Sequence, residues 1–551
     1  MKRPLHPLHP LLPRGKELGL PVVSGILLAI SFPPFHLLFP PFIALVPFLF
    51  FVSSCPASAE GSRSAARATF WMGVVYYGML LYWLFTALVF YTWLSLLGYL
   101  ITAVVLSGFL AGAGYSIHRL RYRHSMPFWI SLPVFLVAVE WLRGHLGDLA
   151  FPWLGLGHSL TGFPQLIGFA DVVGAHGVSF WLAAINGLLA EWWLDGLKIR
   201  WRRFSAALLL LIGLPVGYSL FRWETLVTRP AARVLVVQPN IPEDLKLNRE
   251  LARDSSKSAL DRLTRVAIAT ERNIDLVVWP ETALPGFFER DRGWTLWAAA
   301  LSRRNNVPIV FGALDLEAHR DGGFDYYNAA VYLDSQGSLS GVYRKHYLVP
   351  IVERVPFVPI AWMRDIRRSS QNWRVPLVGN VGAFLRWFGG FGRGDDQPIM
   401  SLNGERFGVL ICYESIFAPH ARTYRRHGAD FLLNITNDAW FGRAEPWWSQ
   451  TSALYQHPAH LVMRAIENRI GIARAANTGI SGFFDPRGRA HQLTELFEPA
   501  ARVGVVETTD GLTLYTRFGD WVGWLAALGA ALLVGGSVWR ERRAKTASPS
   551  A

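Results

Sequence analysis

Along the chain the hydrophobic and polar positions change rhythm twice. Up to about residue 221, long apolar stretches follow one another across short polar breaks, at roughly 18 to 32, 35 to 53, 69 to 90, 93 to 116, 127 to 142, 172 to 194 and 204 to 221. An eighth lies at about 520 to 538. A helix of about 20 apolar residues crosses about 30 Å of hydrocarbon, so the pattern predicts an all-α transmembrane bundle of about eight helices. The first stretch is short and runs into Pro33-Pro34, and with Lys2, Arg3, Arg14 and Lys16 ahead of it, it also has the layout of a signal peptide. Ser31-Phe32-Pro33-Pro34 is a poor cleavage site, which favours a retained anchor.

From Ala232 the rhythm shortens to β-branched runs separated by polar helical stretches. Arg233 to Gln238, Asp275 to Trp279, Pro308 to Gly312, Ala329 to Leu333, Phe407 to Ile411 and Asp430 to Ile435 read as buried strands bounded by Pro, Gly, Asn and Asp. Asn248 to Arg272 and Ala453 to Asn468 carry apolar residues at helical spacing. The pattern predicts a layered α/β domain with strands covered on both faces. The chain divides into a membrane region at 1–223, a folded domain at 224–518, and a last helix with a basic tail at 519–551.

Pro356 to Gly394 shows no clean strand or helix. Phe357, Trp362, Trp373, Phe384, Trp387, Phe388 and Phe391 alternate there with Arg364, Arg367, Arg368, Arg374 and Arg386. That mixture suits a membrane-facing arm at the lipid headgroup boundary. A long loop folded over the domain with its aromatics buried fits as well, and either form would serve as a lid.

Composition agrees with a membrane region joined to a folded domain: of 551 residues, 51% are hydrophobic and 17% charged. The net charge of +14 would suggest nucleic acid until the basic residues are placed. Lys2, Arg3, Arg14, Lys16, Arg63, Arg67, Arg119, Arg121, Arg123, Lys198, Arg200, Arg202, Arg203, Arg540, Arg542, Arg543 and Lys545 all fall on one side of an eight-span bundle. By the positive-inside rule that side is cytoplasmic, so the 224–518 domain lies outside and no nucleic-acid partner is expected. Cys55 and Cys412 then face opposite compartments and form no disulfide. A lone thiol in an oxidising compartment is usually buried or used.

Three apolar runs end on reactive side chains: Leu276-Val277-Val278-Trp279-Pro280-Glu281, Tyr343-Arg344-Lys345, and Gly408-Val409-Leu410-Ile411-Cys412. Carboxylate, ammonium and thiol are what covalent acyl transfer through a thioester requires. Taken alone, Cys412 reads as a small buried hydrophobe, Glu281 as a solvated strand end and Lys345 as part of a basic turn. Cys412-Tyr413-Glu414-Ser415, directly after its run, instead suits a sharp turn that presents the thiol beside backbone N–H groups able to hold an oxyanion. A carboxylate drawn out of water becomes a base near neutral pH, and a cation beside a thiol favours the thiolate. Asn434, Asn437, Asp438 and Trp440 fit a pocket wall and a turn after a buried strand equally well. Glu140, His158 and Asp171 lie in or near spans, where ionisable groups are costly and often functional. No metal-ligand spacing and no phosphate-cradling glycine loop appears, so no cofactor is expected.

Trp279-Pro280-Glu281, Lys345 and Cys412-Tyr413-Glu414 resemble, in order and spacing, the catalytic Glu, Lys and Cys of the nitrilase superfamily. Lys345 through Leu348-Val349-Pro350 to Glu353 and Pro356, with Asn434-Ile435-Thr436-Asn437-Asp438-Ala439-Trp440-Phe441-Gly442, more closely resemble the apolipoprotein N-acyltransferases. The resemblance implies a nitrilase-like αββα sandwich on a multi-pass bundle in a bacterial inner membrane, with the catalytic domain in the periplasm. It implies that Cys412 takes an acyl chain from a phospholipid and passes it to the N-terminal amine of a diacylated apolipoprotein. Glu281 would be the base, and Lys345 with the Tyr413 N–H would hold the oxyanion. Glu353, Tyr413, Glu414 and Trp440 would support or bind substrate, with Glu414 orienting Lys345; a monomer is expected. Two positions depart from the family pattern: Leu247 stands where a Trp is usual, and Ile351-Val352 stand where Phe-Gly usually precedes Glu353. A membrane-anchored amidase using the same three residues on a small amide is the competing enzyme, and a transporter with an external binding domain is the non-enzymatic alternative.

Overall fold

Neighbouring side chains in Val234 to Val237 enter two different cores. Val234 and Val236 pack with Ile411 and Leu433, whereas Leu235 and Val237 pack with Leu260 and Ala298. This period-two alternation marks a strand with both faces buried. The computed structural model describes residues 12–13, 15–89, 93–195, 201–243, 249–319, 324–369, 374–375, 379–380 and 390–547.

The α/β domain is built on β1 (Arg229–Gln238), β2 (Leu276–Val278), β3 (Ile309–Ala318), β4 (Phe324–Leu333), β5 (Leu339–Arg344), β6 (Met400–Leu402), β7 (Glu405–Ile411), β8 (Phe431–Thr436), β9 (Gly471–Ala476), β10 (Gly482–Phe484), β11 (Ala490–His491) and β12 (Ala500–Thr508). Two six-stranded sheets result, in the orders β12-β1-β2-β3-β4-β5 and β11-β10-β9-β8-β7-β6. In each, three central strands run parallel, β1-β2-β3 and β7-β8-β9. Helices Arg249–Thr270 and Arg292–Asn305 cover the outside of the first sheet, and Ala418–Arg426 and Ala453–Asn468 the outside of the second. This is the nitrilase-like αββα sandwich that the resemblance implied.

The six strands expected from sequence are present, and β3 and β4 run further than expected as a ten-residue pairing from Ile309↔Leu333 to Ala318↔Phe324. β9 escaped the sequence reading because it is Gly-Ile-Ala-Arg-Ala-Ala. Packed between β8 and β10, every residue in it is buried, yet alanines and a buried arginine give no β-branched signal.

Helices Ser95–His124, Ala170–Leu194, Trp201–Thr225 and Trp521–Arg543 are long and apolar enough to cross a membrane. The pair Ala59–Leu80 and Trp83–Val89, bent by 46°, makes up to five if it is one span. Gly19–Ile30, Pro40–Ser54 and Phe128–Gly144 occupy the other predicted stretches as shorter helices. Ala170–Leu194 bends at Gly174, whose φ of +69° and position 2.5 Å (for a Cβ) from the Tyr515 ring leave room only for glycine. At one end of the bundle Arg119 reaches Glu541 (2.5 Å) and Arg121 reaches Glu191 (2.5 Å), which ties the basic end of Ser95–His124 to the ends of Trp521–Arg543 and Ala170–Leu194.

At the other end, the helices covering the second sheet share one apolar core with the bundle: Leu461, Ile466 and Phe417 belong to the same cluster as Phe48, Leu110 and Trp153. Of the ionisable residues singled out near spans, Asp171 and His158 stand at this seam and Glu140 lies within the bundle side. Asp171 accepts from Arg469 Nε (3.0 Å), Glu140 from the Leu156 N–H (2.8 Å), and the His158 ring lies 4.6 Å from that of His460. Within Pro356 to Gly394, where no helix was expected, Ile360–Ser369 is helical. Met363 is buried there and Trp362 is 65% exposed, too little apolar periodicity to read through the interleaved arginines. Trp373, Phe384, Arg386, Trp387 and Phe388 lie outside the described residues, as does Leu247.

Candidate active site

Glu281, Lys345 and Cys412 converge from the two sheets. Glu281 follows β2, Lys345 follows β5, and Cys412 follows β7. Lys345, 1% exposed, donates from Nζ to Glu281 Oε1 (3.2 Å) and Glu353 Oε1 (2.8 Å). Asn328 Nδ2 bridges the same two carboxylates at 2.6 and 3.1 Å, while the Asn437 N–H donates to Glu281 Oε2 (2.8 Å) and the Val349 N–H to Glu353 Oε2 (2.8 Å). Each buried charge therefore has partners, without which burial would cost several kcal/mol. Burial works against the Lys345 ammonium, but Glu281 and Glu353 outweigh it and push its pKa well above the usual lysine range.

Cys412 is buried, and burial raises its thiol pKa; the Glu281 charge adds to the rise and Lys345 opposes it. The sulfur thus feels both the proposed base and the proposed cation. At rest it is a thiol, and a proton acceptor is needed for it to react. The Cys412 backbone takes φ +50° as the first residue of the 3-10 turn Cys412–Ile416, a left-handed value that turns the chain sharply away from the strand.

Glu414 does not orient Lys345. Fully buried, it accepts from Tyr343 OH (2.5 Å) and from the N–H groups of His346 (2.7 Å), Tyr347 (3.1 Å) and Ile411 (2.7 Å). Orphan N–H groups on both sides of the site attract it more than an ammonium already held by two carboxylates. Burial alone would raise its pKa, yet His420, Tyr343 and the Ile411 N–H hold it below the usual range. The Tyr413 hydroxyl donates to Ala150 O (3.0 Å) in the membrane region.

The description Carbon-nitrogen hydrolase fits residues 233–499, and Apolipoprotein N-acyltransferase N-terminal domain fits residues 24–188. The Apolipoprotein N-acyltransferase of Geobacter metallireducens is 32% identical over 522 residues, 93% of both chains. The chain belongs to the apolipoprotein N-acyltransferase family. Family members of that name in Chlorobaculum tepidum and Methylococcus capsulatus are each 30% identical, over 92% and 97% of this chain and 94% and 98% of theirs. Among solved structures, an amidase from Nesterenkonia sp. AN1 aligns at 18% identity over 53% of this chain and 97% of its own, with TM-score 0.34. With its apolar helices, this family member is a bacterial membrane protein.

This acyltransferase holds a buried charged network behind Cys412 that single residues gave no reason to expect. Asp438 Oδ2 accepts from Arg474 Nη2 (2.5 Å) and Oδ1 from Thr436 Oγ1 (2.8 Å), and His457 bridges Asp438 Oδ1 (3.0 Å) to the Cys412 carbonyl oxygen (3.0 Å). Asn434 Oδ1 also takes Arg474. Of the residues read as pocket or turn, Asn437 touches the Glu281 carboxylate, whereas Asn434 and Asp438 brace from behind. Trp440 lines a small cleft with Thr86 and Ala87 of the bundle and Glu243, which accepts from Asn437 Nδ2 (2.9 Å). At the departure from the family pattern, Ile351 has φ +69°, a costly value for a β-branched residue, and its N–H donates to Arg354 O (2.7 Å).

Proposed function

We propose that the protein transfers an acyl chain from a membrane phospholipid to the N-terminal amine of a diacylated apolipoprotein by way of a thioester on Cys412. One observation carries this: a buried thiol under the influence of a carboxylate and an ammonium, on a sheet whose outer helices share their core with an apolar bundle. A small-amide hydrolase has no use for that shared core.

In the first half-reaction Glu281 takes the thiol proton as Sγ attacks the ester carbonyl, so the buried thiolate never stands free. Lys345 Nζ and the Tyr413 N–H stabilise the oxyanion. Collapse breaks the ester C–O bond, and Glu281 returns the proton to the departing lysophospholipid oxygen. In the second, the lipoprotein amine attacks the thioester, Glu281 takes its proton, and collapse expels the sulfur, which regains that proton. Glu353 and Asn328 fix the Lys345 ammonium, and Glu414 fixes the two backbone segments on either side of it.

The domain at 224–518 lies on the periplasmic side of an inner membrane. Clustering of basic residues at the bundle end remote from that domain supports this orientation, because cationic loops remain in the cytoplasm. Trp440, in a cleft lined by residues of both regions, contacts substrate, and the protein acts as a monomer. Purified full-length protein with phosphatidylethanolamine and a diacylated lipopeptide should yield triacylated product, and intact mass spectrometry should find an acyl adduct that Cys412→Ala abolishes and Cys55→Ala retains. An adduct that persists in Cys412→Ala defeats the assignment.

A further inference from the structure

The chemistry above needs the Tyr413 N–H to face the oxyanion, and a strand-to-turn junction does not guarantee it. A flip of the peptide plane after Cys412, which changes only the ψ of Cys412 and the φ of Tyr413, would leave the left-handed φ in place and turn that N–H away. That plane is rigid and trans, so the Cys412 carbonyl and the Tyr413 N–H point in opposite directions from it. Whatever grips the carbonyl aims the N–H.

Two donors grip it, Ser415 Oγ at 3.0 Å and His457 Nε2 at 3.0 Å, and these lie 3.0 Å from each other. A carbonyl oxygen and a carboxylate oxygen can only accept, so the ring donates from both nitrogens, Nε2 to the Cys412 carbonyl and Nδ1 to Asp438. The far side of the ring meets Asp438, itself anchored by Arg474 and Thr436. His457, Asp438, Arg474 and Ser415 are fully buried. The ring is also clamped between Trp153 of the membrane region, stacked at 5.8 Å, and Phe441, edge-on at 5.3 Å. Buried ion networks seldom add more stability than apolar residues of similar shape. This one terminates on the carbonyl of the nucleophile. Donors on that carbonyl also polarise the amide and strengthen the N–H on its other side.

We propose that His457, braced by Asp438 and Arg474, is a positioning residue that locks the Cys412–Tyr413 peptide plane with the Tyr413 N–H toward the thioester oxyanion. This rests on Cys412 as the acyl-carrying nucleophile and adds the group that prepares its oxyanion site.

Two near-isosteric variants separate positioning from packing. His457→Gln places a nitrogen donor where Nε2 stood, facing the carbonyl; His457→Asn places one where Nδ1 stood, facing Asp438. In full-length protein, single-turnover acylation by phosphatidylethanolamine should fall roughly 100-fold in rate for Asn, with half-saturation unchanged, and stay within about 5-fold of wild type for Gln. Alkylation of Cys412 by iodoacetamide, which forms no oxyanion, should proceed at one rate in all three. Ser415→Ala, which removes the second donor, should lose roughly 10-fold in acylation with alkylation unchanged, and serves if the Asn variant does not fold. Equal acylation by Gln and Asn, or acylation and alkylation falling in parallel, overturns the proposal. Wild-type protein that alkylates at Cys412 but never acylates there instead defeats the functional reading beneath it, and the proposal falls with it.

Discussion

Replacing Gly312 by alanine should disable the site without touching a reactive group. Gly312 lies in β3 against the Glu281 turn: its N–H donates to Pro280 O (3.1 Å) and its carbonyl accepts from the Leu284 N–H (3.2 Å). A Cβ at 312 would stand 2.5 Å from both Glu281 Cα and Thr282 N. Ordinary contact begins near about 3.5 Å, so strand and turn must part by about 1 Å. Forced overpacking of this kind costs roughly 1–3 kcal/mol of stability. The catalytic cost is larger, because about 1 Å of misplacement in a reacting group can lower a rate about 100-fold. Single-turnover formation of the Cys412 adduct, followed by intact mass spectrometry, would read the rate, and thermal unfolding the stability. Gly293→Ala, at a helical site with nothing within 4 Å, is the control and should acylate normally. Acylation by Gly312→Ala within 3-fold (~0.7 kcal/mol) of wild type would refute the argument that β3 sets the position of Glu281.

Three further outcomes are expected. Glu281→Gln keeps the shape but cannot accept a proton, so adduct formation should fall about 10²- to 10⁴-fold; normal labelling would remove Glu281 from its role. Burial penalises the Asp438 charge, but Arg474 and His457 outweigh it and depress its pKa below the usual carboxylate range. A depressed folded value means stability fully present above the unfolded value of about 4 and lost as pH falls below it. The melting temperature of wild type should therefore drop more steeply below about pH 4 than that of Asp438→Asn, and parallel curves would contradict the assignment. Tyr413→Phe removes only the hydroxyl bond to Ala150, so stability should fall by about 1 kcal/mol while acylation stays within about 5-fold; loss of acylation would give the hydroxyl a chemical part.

The site was legible in sequence where a reactive side chain ends a buried run. Val277-Val278 leading to Glu281, and Leu410-Ile411 leading to Cys412, announce strand ends because apolar runs of that length have few other homes. Lys345 was harder, since β5 is a half-exposed strand whose burial pattern carries little signal. What sequence did not reveal are pairings between distant segments. His457 sits mid-helix, 45 residues beyond Cys412, and Arg474 lies in an alanine-rich strand; only the β8–β9 register, which sets Asn434 beside Arg474, brings that arginine to Asp438. Glu414 could be seen as important but not in what respect, because its partners are backbone N–H groups, which every residue but proline carries.

The two sheets divide the labour, and the division explains how acyl-transfer chemistry of this kind can be turned toward lipid. Glu281, Lys345, Asn328 and Glu353 all come from the first sheet or the loops leaving it, whose outer helices form a core separate from the bundle. Cys412 comes from the second, and the boundary falls within one peptide bond: its side chain packs into the core between the sheets, while Tyr413, Ile416 and Phe417 pack into the core shared with the membrane helices. A turn straddling that line can receive its proton acceptor and cation from one side and a hydrocarbon substrate from the other. Charged groups on the bundle side would be costly to desolvate, and Asp171, one that does stand there, is paired across the seam with Arg469. The left-handed turn at Cys412 is thus the point where a polar catalytic site and an apolar substrate path can meet without either crossing the other.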